Sequence, residues 1–215
     1  MPNCAIFDLD GTLVNTIDDL ALSTDYTLKK YGIRSQWNIS DYKKFVGNGV
    51  AKLVERAFDG RIDEKELPAA LEVFRKRYYE TMTQNAYVYE GIKPALDSLK
   101  AKGVKICVCT NKPHEAACKM LSKLFGENYF DVIIGQKDDV PKKPEPHMVL
   151  IAMKAVNAAA EDCVYFGDSD VDMVTARRAR VDSVGVTWGF RSFAELFAQS
   201  PTLIIDKPEY ILKLF

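Results

Sequence analysis

Charge of one sign is what this sequence of 215 residues most plainly lacks: 29 Lys and Arg stand against 30 Asp and Glu, for a formal net charge of −1. That balance leaves no electrostatic footprint for nucleic acid or for an anionic membrane. No apolar run approaches the roughly 20 residues that a membrane helix needs. No basic, small-residue leader precedes the first apolar stretch at Asn3, so the expectation is an uncleaved, cytoplasmic chain. Cysteine is sparse and odd in number. Cys4, Cys107, Cys109, Cys118 and Cys163 form no Cys-x-x-Cys pair, which speaks for core packing in a reducing compartment and against a metal or redox role. The two histidines, His114 and His147, fall at expected helix starts and suit the surface better than catalysis. Repeats and low-complexity segments are absent as well.

What the chain does have is concentrated first in Asn3-Cys4-Ala5-Ile6-Phe7-Asp8-Leu9-Asp10-Gly11-Thr12-Leu13. A short, bounded apolar run reads as a strand buried on both faces. Asp8 then sits where strand gives way to loop, the edge of an open parallel sheet at which ligands bind. Asp10 follows two residues on. Two carboxylates so close repel each other unless a cation or a shared proton relieves them, so a divalent metal or a perturbed pKa is implied.

After Leu13 the period changes from strand to helix. Thr16-Ile17-Asp18-Asp19 reads as a capping box, with Thr16 as N-cap and Asp19 as its reciprocal partner. Further helices are expected from near Ser40 until Gly47-Asn48-Gly49 interrupts, from Val50 to Ala57, and from Leu67 to Met82. These about 70 residues are long for a single crossover and hold no buried strand, so they form an all-helical insertion. From Gly91 onward strand and helix alternate. The strands are Val104–Cys109, Val132–Ile134, Cys163–Phe166, Ser183–Thr187 and Leu203–Ile205. Near-continuous apolar strands separated by amphipathic helices predict an α/β fold with a doubly wound parallel sheet. The predicted division is a core of residues 1–15 and 88–215, with a helical cap at 16–87.

Three later stretches fall at the same sheet edge. Thr110 and Asn111 end the second strand, where a hydroxyl and main-chain N–H groups make a phosphate cradle, although Thr-Asn is also an ordinary helix cap. Lys143-Pro144-Glu145-Pro146 stiffens the backbone around Lys143, whose ammonium would offset charge on a phosphoryl group. Asp168 repeats the placement of Asp8, and Asp172 lies four residues on, on the same side of a helix beginning near Ser169. Acid, hydroxyl and acid at three strand ends predict an anion-plus-metal site.

Asp8-Leu9-Asp10-Gly11-Thr12-Leu13-Val14 resembles the first motif of the haloacid-dehalogenase-like hydrolase superfamily. Thr110, Lys143 before Pro-x-Pro, and Gly167-Asp168-Ser169-x-x-Asp172 are similar to its other three. That resemblance implies a Rossmann-like core with an inserted cap. It implies a Mg²⁺-dependent phosphatase in which Asp8 is the nucleophile and Asp10 the general acid and base. The Mg²⁺ ligands would be Asp8, the Asp10 carbonyl and Asp168, while Thr110, Asn111 and Lys143 would bind the phosphoryl group. Asp172 would orient Lys143 or a metal-bound water. Within the superfamily, Asp10 argues against dehalogenases, phosphonatases and P-type ATPases. Phe45-Val46-Gly47-Asn48-Gly49, Thr110-Asn111-Lys112-Pro113 and Gly185-Val186-Thr187-Trp188-Gly189 look like the phosphoglycolate phosphatase branch, with Gly47 and Asn48 meeting the substrate. Other phosphorylated metabolites (pyrophosphate, a nucleotide, a sugar phosphate), a phosphoglucomutase-like isomerisation and a non-enzymatic phospho-receiver stand as alternatives. The partner implied is a small phosphorylated molecule, handled by a monomer or a homodimer.

Overall fold

Cys4–Phe7 forms strand β1, and all four of its residues are fully buried, as the unbroken apolar run requires of a strand covered on both faces. The computed structural model describes residues 2–215 and divides the chain into two compact units. One comprises the N-terminal segment through Asn15 together with Val88–Phe215; the other is Thr16–Tyr87. Short strands β2 (Val14–Asn15) and β3 (Tyr87–Val88) pair where the chain leaves and re-enters the first unit.

The Thr16–Tyr87 unit is helical: α1 (Ile17–Lys30), α2 (Ile39–Phe45), α3 (Val50–Phe58) and α4 (Leu67–Thr81). Leu20, Leu28, Leu53, Val54, Phe58, Phe74 and Tyr78 supply its core. The expected capping box at the start of α1 does not form. Thr16 makes no side-chain cap bond, and its hydroxyl is buried without a hydrogen-bond partner. Asp19 accepts instead from the Asn85 and Ala86 main-chain N–H groups and the Asn85 side-chain amide, at 2.8–3.1 Å. Three donors from a segment 66 residues away outcompete one local N–H, and they tie the two ends of the unit together.

In the other unit α5 (Ile92–Ala101) leads into β4 (Lys105–Pro113), followed by α6 (His114–Phe125) and β5 (Val132–Gln136). Then come α7 (His147–Ala155), β6 (Cys163–Gly167), α8 (Asp170–Ala179), β7 (Asp182–Val186), α9 (Phe193–Phe197) and β8 (Leu203–Ile205). The six-stranded sheet runs β5-β4-β1-β6-β7-β8 with every neighbouring pair parallel. Cys4, Ile6, Cys107, Cys109, Cys163 and Tyr165 belong to one buried cluster with Met148, Val149 and Ala152 of α7 and Ala176 and Ala179 of α8. The intervening residues Phe7, Val108, Val164 and Phe166 are buried too, and the Phe7 and Phe166 rings stack at 4.7 Å. β4 runs four residues beyond the expected Cys109, with a shift of register between Cys109 and Pro113. That irregular end carries Thr110, Asn111 and Lys112.

Candidate active site

The strand order reverses direction at β1, whose neighbours are β4 on one side and β6 on the other. Connections therefore leave this point toward both halves of the sheet, and in open parallel sheets the region beyond the carboxyl ends of the strands at such a point is where ligands bind. Asp8 follows β1 directly and Asp168 follows β6 directly, while Thr110 lies in the last part of β4. All three are buried.

Lys143 is the cation among them. Its ammonium lies 2.9 Å from Asp8 Oδ1, 2.7 Å from Asp172 Oδ1 and 3.1 Å from the Tyr165 hydroxyl, so each of its three N–H donors has an acceptor. Burial works against a charged lysine, but Asp172 and Asp8 outweigh it and raise the Lys143 pKa above its usual value. The main chain of Lys143 is held as tightly: its N–H donates to Asn111 Oδ1 at 2.8 Å and its carbonyl accepts from Asn111 Nδ2 at 3.0 Å. Asp172 serves two structures at once. Its Oδ2 closes a capping box with Ser169 at the start of α8, which leaves Oδ1 for Lys143 and Tyr165.

Asp168 is fixed by donors from two loops, Thr12 Oγ1 on Oδ1 at 3.2 Å and the Phe190 N–H on Oδ2 at 2.7 Å. The loops close so tightly that glycine is required. A Cβ at Gly189 would lie 2.3 Å from that of Asp168 and 2.4 Å from the Gly11 carbonyl oxygen. Trp188 ties the same loops together, its indole N–H donating to the Thr12 carbonyl at 3.0 Å. The carboxylates of Asp8, Asp168 and Asp172 have oxygens within 4.8 Å of one another. Burial, reinforced by the neighbouring acids, pushes Asp168 well above the ordinary carboxylate range, and burial outweighs Lys143 to push Asp8 up to about 7. Three converging carboxylates against one ammonium form an electron-rich oxygen set that suits a hard divalent cation.

The structure thus brings together Asp8, Thr110, Asn111, Lys143, Asp168 and Asp172 at one edge. Asp10 is close by, but its carboxylate is drawn elsewhere, to Lys112 Nζ at 2.9 Å. The side-chain group that converges with Asp8 and Asp168 is that of Asp172. Thr110 Oγ1 accepts from the Lys112 N–H at 3.2 Å, which leaves its own proton to donate. Gly47 and Asn48 lie in the helical unit between α2 and α3. Asn48 Oδ1 accepts from Arg56 at 2.9 Å, and Arg56 also donates to the Phe45 carbonyl at 2.8 Å. His147 is exposed, and His114 is half-buried with Nδ1 accepting from the Gly135 N–H.

Sequence reasoning assigned no site role to Lys112, Tyr165, Ser169 and Phe190. Lys112 carried a signal, because a lysine two residues beyond a buried threonine needs a counter-charge. Tyr165 carried none: an aromatic residue in an apolar strand reads as core, and only the fold brings its hydroxyl to Lys143.

Residues 5–186 match the family of haloacid dehalogenase-like hydrolases. The phosphoglycolate phosphatase of Colwellia psychrerythraea is 35% identical over 207 residues, covering 94% of this chain and 91% of the relative. That of Aquifex aeolicus is 33% identical over 209 residues, covering 97% and 94%. A crystal structure from Lactobacillus delbrueckii subsp. bulgaricus, of a protein provisionally named phosphoglycolate phosphatase, superposes with a TM-score of 0.94 at 32% identity and covers 100% of this chain and 98% of that one. The chain belongs to the haloacid dehalogenase-like hydrolase family. Within it, the chain is a phosphatase enzyme and resembles the phosphoglycolate phosphatases. No helix among the described residues is long and apolar enough to cross a membrane.

Proposed function

We propose that this enzyme hydrolyses phosphoglycolate, a small phosphorylated metabolite, through an aspartyl-phosphate on Asp8. The observation that carries the reading is the Lys143 ammonium seated between Asp8 and Asp172, 2.9 and 2.7 Å away, at the point where the strand order reverses. An ionised Asp8 attacks phosphorus in line, and the bond to the leaving oxygen breaks as the new P–O bond forms. Asp10 gives its proton to the leaving alkoxide. It then takes a proton from water, which attacks the phosphorus of the aspartyl-phosphate and releases inorganic phosphate and free Asp8. Thr110 donates its hydroxyl proton to the phosphoryl oxygens, and Lys143, fixed by Asn111 and Asp172, offsets their charge.

Mg²⁺ is the proposed cofactor, held by Asp8, Asp168 and the Asp10 carbonyl; when bound it supplies positive charge that lets one anion approach another. Asp172 acts through Lys143. Residues 16–87 act as a cap domain whose Gly47 and Asn48 read the leaving portion of the substrate. The phosphoglycolate assignment draws its support from the relatives that carry that name. Five free cysteines, four of them buried, suit a cytoplasmic enzyme.

The test is steady-state kinetics on a panel of phosphoglycolate, inorganic pyrophosphate, nucleotides and sugar phosphates, with Mg²⁺ and after exhaustive chelation. Phosphoglycolate is expected to give the highest kcat/KM, with turnover lost on chelation. A higher value for another member moves the substrate assignment to that compound. Single turnover without regeneration on every member would overturn the hydrolytic reading itself.

A further inference from the structure

Lys112 is buried as deeply as Lys143, with its side chain 1% exposed, yet no step proposed above uses it. A buried ammonium is strongly unfavourable without a partner. A partner here is Asp10 Oδ1, 2.9 Å away and 102 residues distant in sequence. The fold goes to some length to make that contact. Lys112 lies in the irregular end of β4, where the ladder to β5 loses register between Cys109 and Pro113. Its N–H is turned to the Thr110 hydroxyl, and its carbonyl presses on β5 at Gly135, where an added Cβ would lie 2.8 Å from that oxygen and 2.6 Å from the His114 Cα. A regular strand would carry residues 110 and 112 on the same face. The irregular end lets Thr110 and Lys112 occupy separate places in the site.

We infer that Lys112 is a positioning residue for Asp10: its ammonium holds Oδ1, so that Oδ2 is the oxygen presented to the leaving group and then to water. The inference rests on the acid–base reading of Asp10. A carboxylate on the loop after β1 has two free torsions, and proton transfer needs one rotamer held within hydrogen-bond reach of a moving target. Misplacement of about 1 Å can cost about a hundredfold in rate. Lys112 does not exchange protons with the substrate. Its contribution is felt only through Asp10.

The experiment is a double-mutant cycle between Lys112→Met, which keeps the length of the side chain and removes its charge, and Asp10→Asn. An aryl phosphate is used as substrate, and phenolate release is followed before and during steady state. A good leaving group needs no proton, so formation of the aspartyl-phosphate does not depend on Asp10, whereas its hydrolysis does. Lys112→Met should lower steady-state kcat by about a hundredfold, lower KM to match so that kcat/KM is unchanged, and keep the burst at its parental rate. The double variant should lose no more than Asp10→Asn alone.

Independent, multiplying losses in the double variant would overturn the inference, as would an unchanged kcat. So would a rise in KM confined to substrates with an anionic leaving portion, which would make Lys112 a substrate contact. If Asp10→Asn alone turns over normally or loses the burst, the acid–base reading fails, and that result is visible without Lys112. Circular dichroism and thermal melts verify folding. Should Lys112→Met not fold, Lys112→Leu, which likewise removes charge and donor, takes its place in the cycle.

Discussion

Three buried carboxylates, two of them paired with one ammonium, govern what individual residues at this site tolerate. Asp8→Asn keeps the size and removes the negative charge, so turnover should vanish while the melting temperature and circular dichroism stay close to parental. Substantial activity in that variant would remove Asp8 from the nucleophile's place. Gly189→Ala tests the packing around Asp168. The added methyl would meet the Asp168 Cβ at 2.3 Å and the Gly11 carbonyl oxygen at 2.4 Å, and backbone cannot give way as a flexible side chain does. Disturbance of the groups that orient a ligating carboxylate typically costs about 10–100-fold in metal affinity. The Mg²⁺ concentration for half-maximal activity should rise by that order, and an unchanged value would argue that Asp168 does not hold the metal. The cysteines answer differently. Cys4, Cys107, Cys109 and Cys163 are buried, and contact with Cys107 together with burial pushes the Cys4 thiol up to about 12. Under native conditions a thiol reagent should label Cys118 alone.

Among the elements, the loop between α2 and α3 is held from within its own unit. Arg56 reaches back from α3 to the Phe45 carbonyl and to Asn48, and so helps to fasten the segment that carries the glycines on either side of Asn48. Asn48→Ala and Arg56→Ala should therefore share a signature. Each should lower kcat/KM for the preferred substrate by about fivefold, the worth of a hydrogen bond of about 1 kcal/mol. A small aryl phosphate should be affected less by either. Equal losses on both substrates would give the loop a purely structural role. The start of α8 carries a comparable double duty, since Ser169 both caps the helix and holds Asp172 Oδ2. Ser169→Ala should cost about 1 kcal/mol of stability and lower kcat as well, because Asp172 orients Lys143.

For the whole molecule, the buried carboxyls of the site make stability depend on pH. Burial raises the Asp8 carboxyl to about 7, and it raises that of Asp168 as well. Unfolded carboxyls titrate near about 4. A carboxyl raised on folding binds its proton more tightly in the native state, so its stabilising contribution is complete below about pH 4 and lost as pH climbs through the folded value. For Asp8 that window runs from about 4 to about 7. A metal binds the ionised form and competes with those protons. The increase in melting temperature on adding Mg²⁺ should accordingly be larger at pH 7.5 than at pH 5. Differential scanning calorimetry at both pH values decides the matter, and an increment that is absent or larger at pH 5 would contradict the metal-binding carboxylates.

Local signals carried the architecture a long way. Period-two and period-3.6 patterns are properties of neighbouring residues, so the alternation of strands and helices from Gly91 to Val186 was readable without a structure, whereas the short helix α9 before the last strand was not. A residue placed just after a strand is likewise local information, and it put Asp8, Thr110 and Asp168 at one sheet edge. Contacts between distant segments were not readable, because no short-range pattern encodes them. The position of β1 between β4 and β6, the pairing of Lys112 with Asp10 and the reach of the Tyr165 hydroxyl to Lys143 were decided by the assembled sheet. The same holds where a local rule lost. Thr16 and Asp19 have the spacing of a capping box, but Asp19 is taken by Asn85 and Ala86 because the folded unit offers it more donors than its own helix can. Sequence determined which residues stand at the ends of the strands; the tertiary structure decided which charges meet there, because burial makes an unpaired charge far more costly than any local preference can repay.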